Sequence, residues 1–128
     1  MGKAMAKFDH MALPVTNPPR SRDWYVRNLG FTVEFDHGEV IAIQDSAGFT
    51  IFLSKPKQKL AGAKCTLTIQ VKSVDRKYRE LSRKRVKFVN PPRQLFWGYG
   101  AELLDPDGYM INLWDRISMR RSMRASAG

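Results

Sequence analysis

The stretch 101–115, AELLDPDGYMINLWD, has the pattern of two strands joined by a tight turn. Its centre, Asp105-Pro106-Asp107-Gly108, suits a type I turn, which favours Asp at the first position, Pro at the second and Gly at the fourth. Apolar residues alternate on both sides of the turn, as in half-buried strands. In the second strand Asn112 shares one face with Met110 and Trp114. The stretch therefore predicts a hairpin, and it raises the question of what Asn112 faces.

The order of elements that ends in this hairpin occurs twice along the chain. The first half predicts a strand, a helix and three strands, at 8–15, 16–30, 31–35, 40–45 and 49–54. The second half repeats that order at 65–71, 74–84, 86–89, 98–104 and 109–114. A βαβββ unit present twice predicts an α+β fold.

This repeat also sets the expected domain organisation. We expect one domain over 8–116, made of modules 8–54 and 64–116. Residues 1–7 and 117–128 lack apolar periodicity, and we expect them to be flexible tails.

Composition limits the class of protein. The chain has 128 residues, 22 Lys and Arg against 12 Asp and Glu, and a single cysteine, Cys65. One thiol excludes an intrachain disulfide and fits a reducing compartment. No apolar run approaches the roughly 20 residues that cross a bilayer, and the N-terminus has no secretory pattern. A cytoplasmic protein without a membrane partner is expected.

The net charge of +10 favours acidic partners in general. One basic cluster, 72–87, has apolar residues at helical spacing, so its Lys and Arg residues are expected to coat a solvated helix face. The other, 115–128, lies in the expected tail and could hold nucleic acid weakly. Because no base-reading motif is present, nucleic acid is not an expected partner.

Three stretches of the sequence resemble one known family. They are 9–31, with His10, Ser21, Trp24-Tyr25 and Leu29-Gly30-Phe31; 96–115, with Trp97-Gly98 and the turn 105–108; and, more weakly, the second helix. The chain resembles the glyoxalase, bleomycin-resistance and extradiol-dioxygenase superfamily, whose members are also called vicinal oxygen chelate proteins. The resemblance implies curled mixed sheets that form a cup around a ligand, usually in a homodimer.

Metal-using members of this family place His and Glu ligands at four positions of the cup. The matching residues here are His10, Phe52, Thr66 and Asn112. Phe52 cannot ligate, Thr66 is a neutral hydroxyl, and Asn112 offers a carbonyl oxygen in place of a carboxylate. Since a catalytic zinc or iron site needs about three good donors, we expect neither a metal site nor another cofactor.

Side chains alternate between the two faces of each strand, and the family resemblance implies which face lines the cup. The residues on that face are the candidate ligand-binding residues. An apolar wall with a few polar groups is the general form of a small-molecule site. The candidates are Phe8, His10, Phe52, Thr66, Thr68, Gln70, Met110, Asn112 and Trp114, with Trp97 and Tyr99 nearby. For Phe52, Met110 and Trp114 a place in a dimer core or a collapsed cup is an equally good interpretation.

Two functions follow from these residues. The first is a small-molecule-binding protein without a functional metal site; because of the net charge, its aromatic ligand is expected to be neutral or anionic. The alternative is a metal-dependent lyase, isomerase or dioxygenase, similar to lactoylglutathione lyase, with a divalent metal as cofactor and His10 as the catalytic residue. In the first interpretation His10 is a hydrogen-bonded imidazole, with Thr66 or Asn112 as its partner, and Asp9 points to the opposite face.

Overall fold

The computed structural model describes residues 8–56 and 65–127, and its contacts divide the chain into two units, Met1–Ala61 and Gly62–Gly128. The first unit contains β1 (His10–Pro14), α1 (Pro18–Leu29), β2 (Thr32–Asp36), β3 (Val40–Gln44) and β4 (Thr50–Ser54). The second contains β5 (Thr66–Gln70), α2 (Val74–Arg83), β6 (Phe88–Leu95), β7 (Gly98–Leu104), β8 (Met110–Trp114) and α3 (Arg116–Ala127). The predicted α+β fold and the repeated βαβββ order are confirmed.

Each unit builds one four-stranded mixed sheet with the same topology. The strand order is β1-β4-β3-β2 in the first unit and β5-β8-β7-β6 in the second. In both, the outer strand that starts the module pairs in parallel with the last strand, and the remaining neighbours are antiparallel. The parallel pair needs a crossover, which α1 and α2 provide.

The two modules also share their turn chemistry. Asp45 and Asp105 each accept hydrogen bonds at Oδ1 from the backbone N–H groups two and four residues later, at 2.8–2.9 Å. In each turn the glycine three residues after the aspartate donates to its carbonyl. Gly48 and Gly108 have φ angles of +87° and +84°, a region that side chains other than glycine rarely adopt. The predicted turn at 105–108 is therefore present, and the turn at 45–48 is its counterpart.

One face of each sheet packs against helix and forms the core. In the first unit α1 contacts β3 and β4, and the buried residues are Tyr25 of α1 with Leu13, Ile41, Ile43, Ile51 and Leu53 of the sheet. In the second unit the fully buried residues are Val74 and Leu81 of α2 with Ala101, Leu103, Ile111 and Leu113. Of these residues, the strand alternation predicted a helix-facing side for Leu13, Ile51, Leu53, Ile111 and Leu113.

Strand β6 differs from the prediction of a short strand at 86–89. It spans Phe88–Leu95 and includes Pro91 and Pro92. Proline cannot donate to a strand ladder, so it is tolerated at sheet edges and bulges. β6 is the edge strand of its sheet, and its register with β7 shifts twice between Phe88 and Arg93.

The C-terminal segment also differs from the expectation. Residues 117–128 were expected to be a flexible tail, but α3 covers Arg116–Ala127 and contacts β7. Ser122 of α3 is buried and hydrogen-bonds to Gln94. An amphipathic helix usually has an apolar residue at such a buried position, so the sequence pattern did not predict α3. The expected tail at 1–7 lies outside the described residues. Within the described part of the chain, no helix is both long enough and apolar enough to span a membrane.

Candidate functional site

Each sheet has a second face, opposite the one that its own helices cover, and we call it the open face of that unit. In the first unit the open face carries His10, Ala12, Thr50, Phe52, Ala42 and Phe35, as the strand register requires. In the second unit it carries Thr66, Thr68, Gln70, Met110, Asn112, Trp114, Gly100 and Glu102. The predicted ligand-binding residues of β4, β5 and β8 thus lie on open faces.

Four rings form a continuous row in the first unit, which we call the aromatic row. His10 stacks on Phe52 with ring centroids 4.3 Å apart and planes at 28°. Phe35 contacts Phe52 at 5.6 Å and His37 at 4.9 Å. The sequence analysis did not include Phe35 or His37 in the site, because the β-bulge between Val33 and Phe35 changes which residues face outward.

A carboxylate joins the aromatic row at the same bulge. Glu34 accepts a hydrogen bond of 2.7 Å from the Thr50 hydroxyl, and the Thr50 hydroxyl oxygen accepts a longer one, 3.4 Å, from the Gln44 amide. Thr50 is the register partner of His10 across the parallel pair. The open face of this unit therefore combines rings with one acidic group.

His10 does not have the partners that the sequence suggested. Its Nδ1 lies 2.8 Å from a carboxylate oxygen of Asp9. The expectation that Asp9 points to the opposite face is wrong because β1 begins at His10, so strand alternation does not extend to Asp9. The side chains of His10 and Asp9 are 41% and 84% exposed, so the pair is largely in solvent.

In the second unit three polar side chains lie side by side across the open face. Thr68 is the register partner of Asn112, and Asn112 is the register partner of Glu102. Glu102 was not among the candidate residues of the sequence analysis. Counting outward from the turn at 105–108 would have placed it opposite Asn112, since the hairpin has no bulge between these pairs.

Glu102 is held by two donors. The Trp97 indole N–H donates to one carboxylate oxygen at 3.0 Å, and the Asn90 amide donates to the other at 2.6 Å. The Trp97 ring lies against Gly100, where a Cβ atom would clash with it. The Trp97 ring therefore lies on the open face of the second unit.

The surroundings of Asn112, which the sequence left open, are given by the structure. Its Oδ1 atom is buried and accepts no hydrogen bond from any residue that the structure describes. A buried acceptor without a partner costs about 1–3 kcal/mol, so such atoms are uncommon away from functional sites. Asn112 is therefore a polar group of this face with unused hydrogen-bonding capacity towards the described residues.

The four family metal positions do not supply a metal site. His10 has Nδ1 engaged by Asp9, and the phenyl ring of Phe52 stacks on the same imidazole. Thr66 and Asn112 bring a hydroxyl and an amide oxygen, which are weak donors compared with carboxylate or imidazole. The described ranges, 8–56 and 65–127, contain no cluster of three His, Cys, Asp or Glu residues suited to a metal. The donor set does not fit the metal that the family implies.

Two predicted site residues lie elsewhere. Tyr99 faces α2, where its hydroxyl donates to Asp75 at 2.6 Å. Burial raises the pKa of Tyr99 to about 12, and the hydrogen bond to Asp75 adds to that rise. Phe8 precedes β1 and is 91% exposed. Neither residue contributes to an open face in the way that Phe52 or Trp97 does.

A cleft of about 320 Å³ lies on the helix-covered side of the second unit. It is lined by Asp75, Gln94, Tyr99, Ser118, Arg121 and Ser122, so it lies where α2 and α3 meet over β6 and β7. The sequence could not indicate this cleft because the prediction had no third helix.

Comparison with known proteins identifies the family whose fold this chain has. A family model for the Glyoxalase/Bleomycin resistance protein/Dioxygenase superfamily matches residues 7–113. An uncharacterized protein of Shewanella frigidimarina (strain NCIMB 400) is 29% identical over 126 residues, with 86% of this chain and 91% of that protein covered.

Two solved structures share the fold. The antibiotic binding protein TnmS3 from Streptomyces sp. CB03234 superposes with a TM-score of 0.75 at 24% identity, covering 89% of this chain and 98% of the other. A lactoylglutathione lyase from Agrobacterium tumefaciens gives 0.71 at 12% identity, covering 88% and 96%. At these identities both comparisons establish the fold alone.

Proposed function

Because the chain belongs to the glyoxalase/bleomycin resistance protein/dioxygenase superfamily, we propose that it binds a small aromatic molecule on its open faces without the aid of a metal ion. One observation carries the proposal. At a family metal position Phe52 presents a phenyl ring, and that ring stacks on the histidine that would be its fellow ligand. A phenylalanine at this position cannot serve as a metal ligand, and its ring extends the aromatic surface.

The other groups of the open faces support this proposal. The aromatic row in the first unit and Trp97 in the second offer flat apolar surface for stacking, which contributes about 0.5–1.5 kcal/mol per pair. Asn112 and Glu102 provide a small number of polar groups that can orient a ligand. The description of TnmS3 as an antibiotic binding protein is consistent with such a use of this fold.

The charge of the ligand follows from the carboxylates on the open faces. Glu34 and Glu102 lie there, and Asp9 is beside His10. An anion placed near them would be repelled. Of the neutral and anionic ligands that the net charge allows, we therefore propose the neutral class.

A matched pair of probes tests both features. We expect neutral 2-naphthamide to shift the NMR signals of the His10 backbone, and anionic 2-naphthoate of the same shape to bind more weakly. Phe52→Ala should weaken naphthamide binding several-fold, since it removes the central ring of the row. Phe96→Ala is the matched control because Phe96 is fully exposed and makes no ring contact with another described residue. Equal effects of the two substitutions, or tighter binding of the carboxylate, would contradict the proposal.

A second candidate function is favoured by the contact between His10 and Asp9. A carboxylate on Nδ1 orients an imidazole and leaves Nε2 for proton transfer, as a general base requires. An enzyme of the lyase, isomerase or dioxygenase type would use His10 in this way. Turnover of the hemithioacetal of methylglyoxal and glutathione, abolished by His10→Ala and reduced by Asp9→Asn, would establish it.

The homodimer that the family resemblance implies is likewise a proposal. Light scattering of the purified protein over a range of concentrations measures the mass directly. A mass of twice 14.7 kDa is expected, and a monomer at all concentrations would exclude the dimer.

A further inference from the structure

The positive charge of the chain is concentrated in its second unit. Of the 22 Lys and Arg residues, 14 lie in residues 62–128, whereas the 12 Asp and Glu residues divide evenly, with 6 in each unit. The second unit therefore carries +8 of the net charge of +10. Net charge alone does not identify a binding partner. The positions of the charged side chains on the second unit determine which partner that unit can bind.

The carboxylates of the second unit are mostly engaged. Asp105 and Asp115 are buried and accept hydrogen bonds from backbone N–H groups. Glu102 lies on the open face. On the helix-covered side Asp75 accepts a hydrogen bond from the Tyr99 hydroxyl. Glu80 forms ion pairs with Lys77 of α2 and with Lys84, which follows the end of α2.

The arginines of the same unit are not neutralised in this way. Those of α2 and α3 are exposed, and none makes an ion pair with another described residue; they are Arg76, Arg79, Arg83, Arg116, Arg120, Arg121 and Arg124. Arg116, Arg120 and Arg124 are four residues apart and therefore follow one side of α3. α3 contains no acidic residue.

Both helices lie on one side of the sheet. Tyr99 bonds to Asp75 of α2, Gln94 bonds to Ser122 of α3, and Tyr99 and Gln94 are register partners. The cleft between the helices is lined from both. The arginines of α2 and α3 thus share the face opposite the open face, and we call it the arginine face. α3 also lies beyond residue 113, where the family match ends.

We propose that the arginine face binds the phosphate backbone of nucleic acid without sequence specificity. Successive arginines on α3 are about 6 Å apart along the helix axis. Phosphates in a duplex strand are about 3.4 Å apart along its axis, so alternate phosphates match the arginine spacing. Arginine forms bidentate hydrogen bonds to phosphate, and a row of three suits a repeating anion better than a single small one.

This surface is distinct from the open face of the second unit, because the two lie on opposite faces of one sheet. It also changes the interpretation of the C-terminal segment. As a flexible tail those arginines would hold nucleic acid weakly. Presented by a helix that packs on β7, they are fixed relative to one another, so less conformational entropy is lost on binding.

Fluorescence anisotropy with a labelled short DNA duplex, over a series of KCl concentrations, tests the proposal. Binding should weaken linearly in log affinity against log salt. The triple variant Arg116→Gln, Arg120→Gln and Arg124→Gln should reduce the slope by about two to three, since each lost phosphate contact removes about 0.9. The single variant Arg120→Gln should reduce it by about one, which keeps the test usable if the triple variant is unstable.

A control of equal charge separates the arginine face from net charge. Arg20→Gln, Arg27→Gln and Lys55→Gln remove the same charge from the first unit and should leave the slope nearly unchanged. Equal losses in the two triple variants would overturn the proposal. So would absence of binding at low salt, or tighter binding to vesicles containing phosphatidylserine than to DNA, which would assign the surface to membranes.

Discussion

At the scale of single residues, Asp115 links three elements of the second unit. Its Oδ1 accepts a hydrogen bond from the Ser118 N–H of α3 at 2.7 Å, and its Oδ2 accepts one from the Val74 N–H of α2 at 2.8 Å. Asp115 follows β8 directly and is 1% exposed. One buried carboxylate therefore caps the N-termini of two helices, where its negative charge also suits both helix dipoles.

We expect Asp115→Ala to lower the free energy of unfolding by about 2–4 kcal/mol, because two helix caps are lost and buried N–H groups are left without partners. Asp115→Asn retains one acceptor oxygen and should lose about half as much. Urea unfolding measures both. The exposed Asp23→Ala is the control, and an Asp115→Ala effect no larger than the control's would refute the double cap.

Tyr99 supplies the pH dependence at the residue scale. Because burial and the contact with Asp75 raise the pKa of Tyr99 from 10.0 to about 12, the unfolded chain loses this proton first as the pH rises. The stabilisation is complete below pH 10 and declines as the pH approaches 12.

Tyr99→Phe should therefore be less stable than the wild type by about 1 kcal/mol below pH 10, since the hydrogen bond to Asp75 is lost. The difference should shrink as the pH rises towards 12. Urea unfolding of both proteins across this range tests the prediction. A stability difference that grows with pH would contradict the direction of the shift.

At the scale of elements, the two crossover helices begin alike and end differently. Asn17 and Ser73 each accept a hydrogen bond from the N–H three residues later, at 3.0 and 3.2 Å. α1 ends at Gly30 with φ of +73°, whereas α2 is followed by Arg85 with φ of +65°. A left-handed conformation is unstrained for glycine and costs about 1 kcal/mol for other residues.

Arg85→Gly should consequently stabilise the protein by about 0.5–1 kcal/mol, and Gly30→Ala should destabilise it by about 1 kcal/mol. Both substitutions lie at the same point of the repeated module, so each serves as the counterpart of the other. Chemical unfolding measures the changes. Destabilisation by Arg85→Gly would show that the arginine side chain contributes more than the backbone strain costs.

What the sequence predicted at this scale depended on local signals. The turn at 105–108 and the alternation in β4, β5 and β8 are local, and the structure confirms them. The prediction ended β6 too early because Pro91 and Pro92 normally interrupt a strand. They are tolerated here because β6 lies at the edge of its sheet, and the sequence of the strand itself does not show that position. α3 was missed because its buried side is partly serine.

The site was predictable to a similar extent. Phe52, Thr68 and Asn112 were placed on the open faces by counting in twos along strands. Phe35 was not, because a bulge interrupts that count. Tyr99 was misplaced because alternation along β7 had not been anchored to the hairpin, which orients its side chain towards α2.

At the scale of the whole molecule, one βαβββ design is used twice with different surfaces. The first unit has an open face with four rings, and the second has an open face with Trp97, Glu102 and Asn112. Among the described residues, only the second unit has a helix after its module, and the second unit carries most of the net charge. The two units thus share a scaffold and differ in the side chains on its surface.

The central claim is that the family metal positions now serve an aromatic surface. It is tested most directly by elemental analysis of the purified protein before and after loading with Ni²⁺, Zn²⁺, Mn²⁺ or Fe²⁺, with His10→Ala in parallel. The account predicts metal contents well below one ion per chain, equal in wild type and variant. A near-stoichiometric, tightly held ion that His10→Ala abolishes would contradict it and assign the chain to the metal-dependent enzymes of its family.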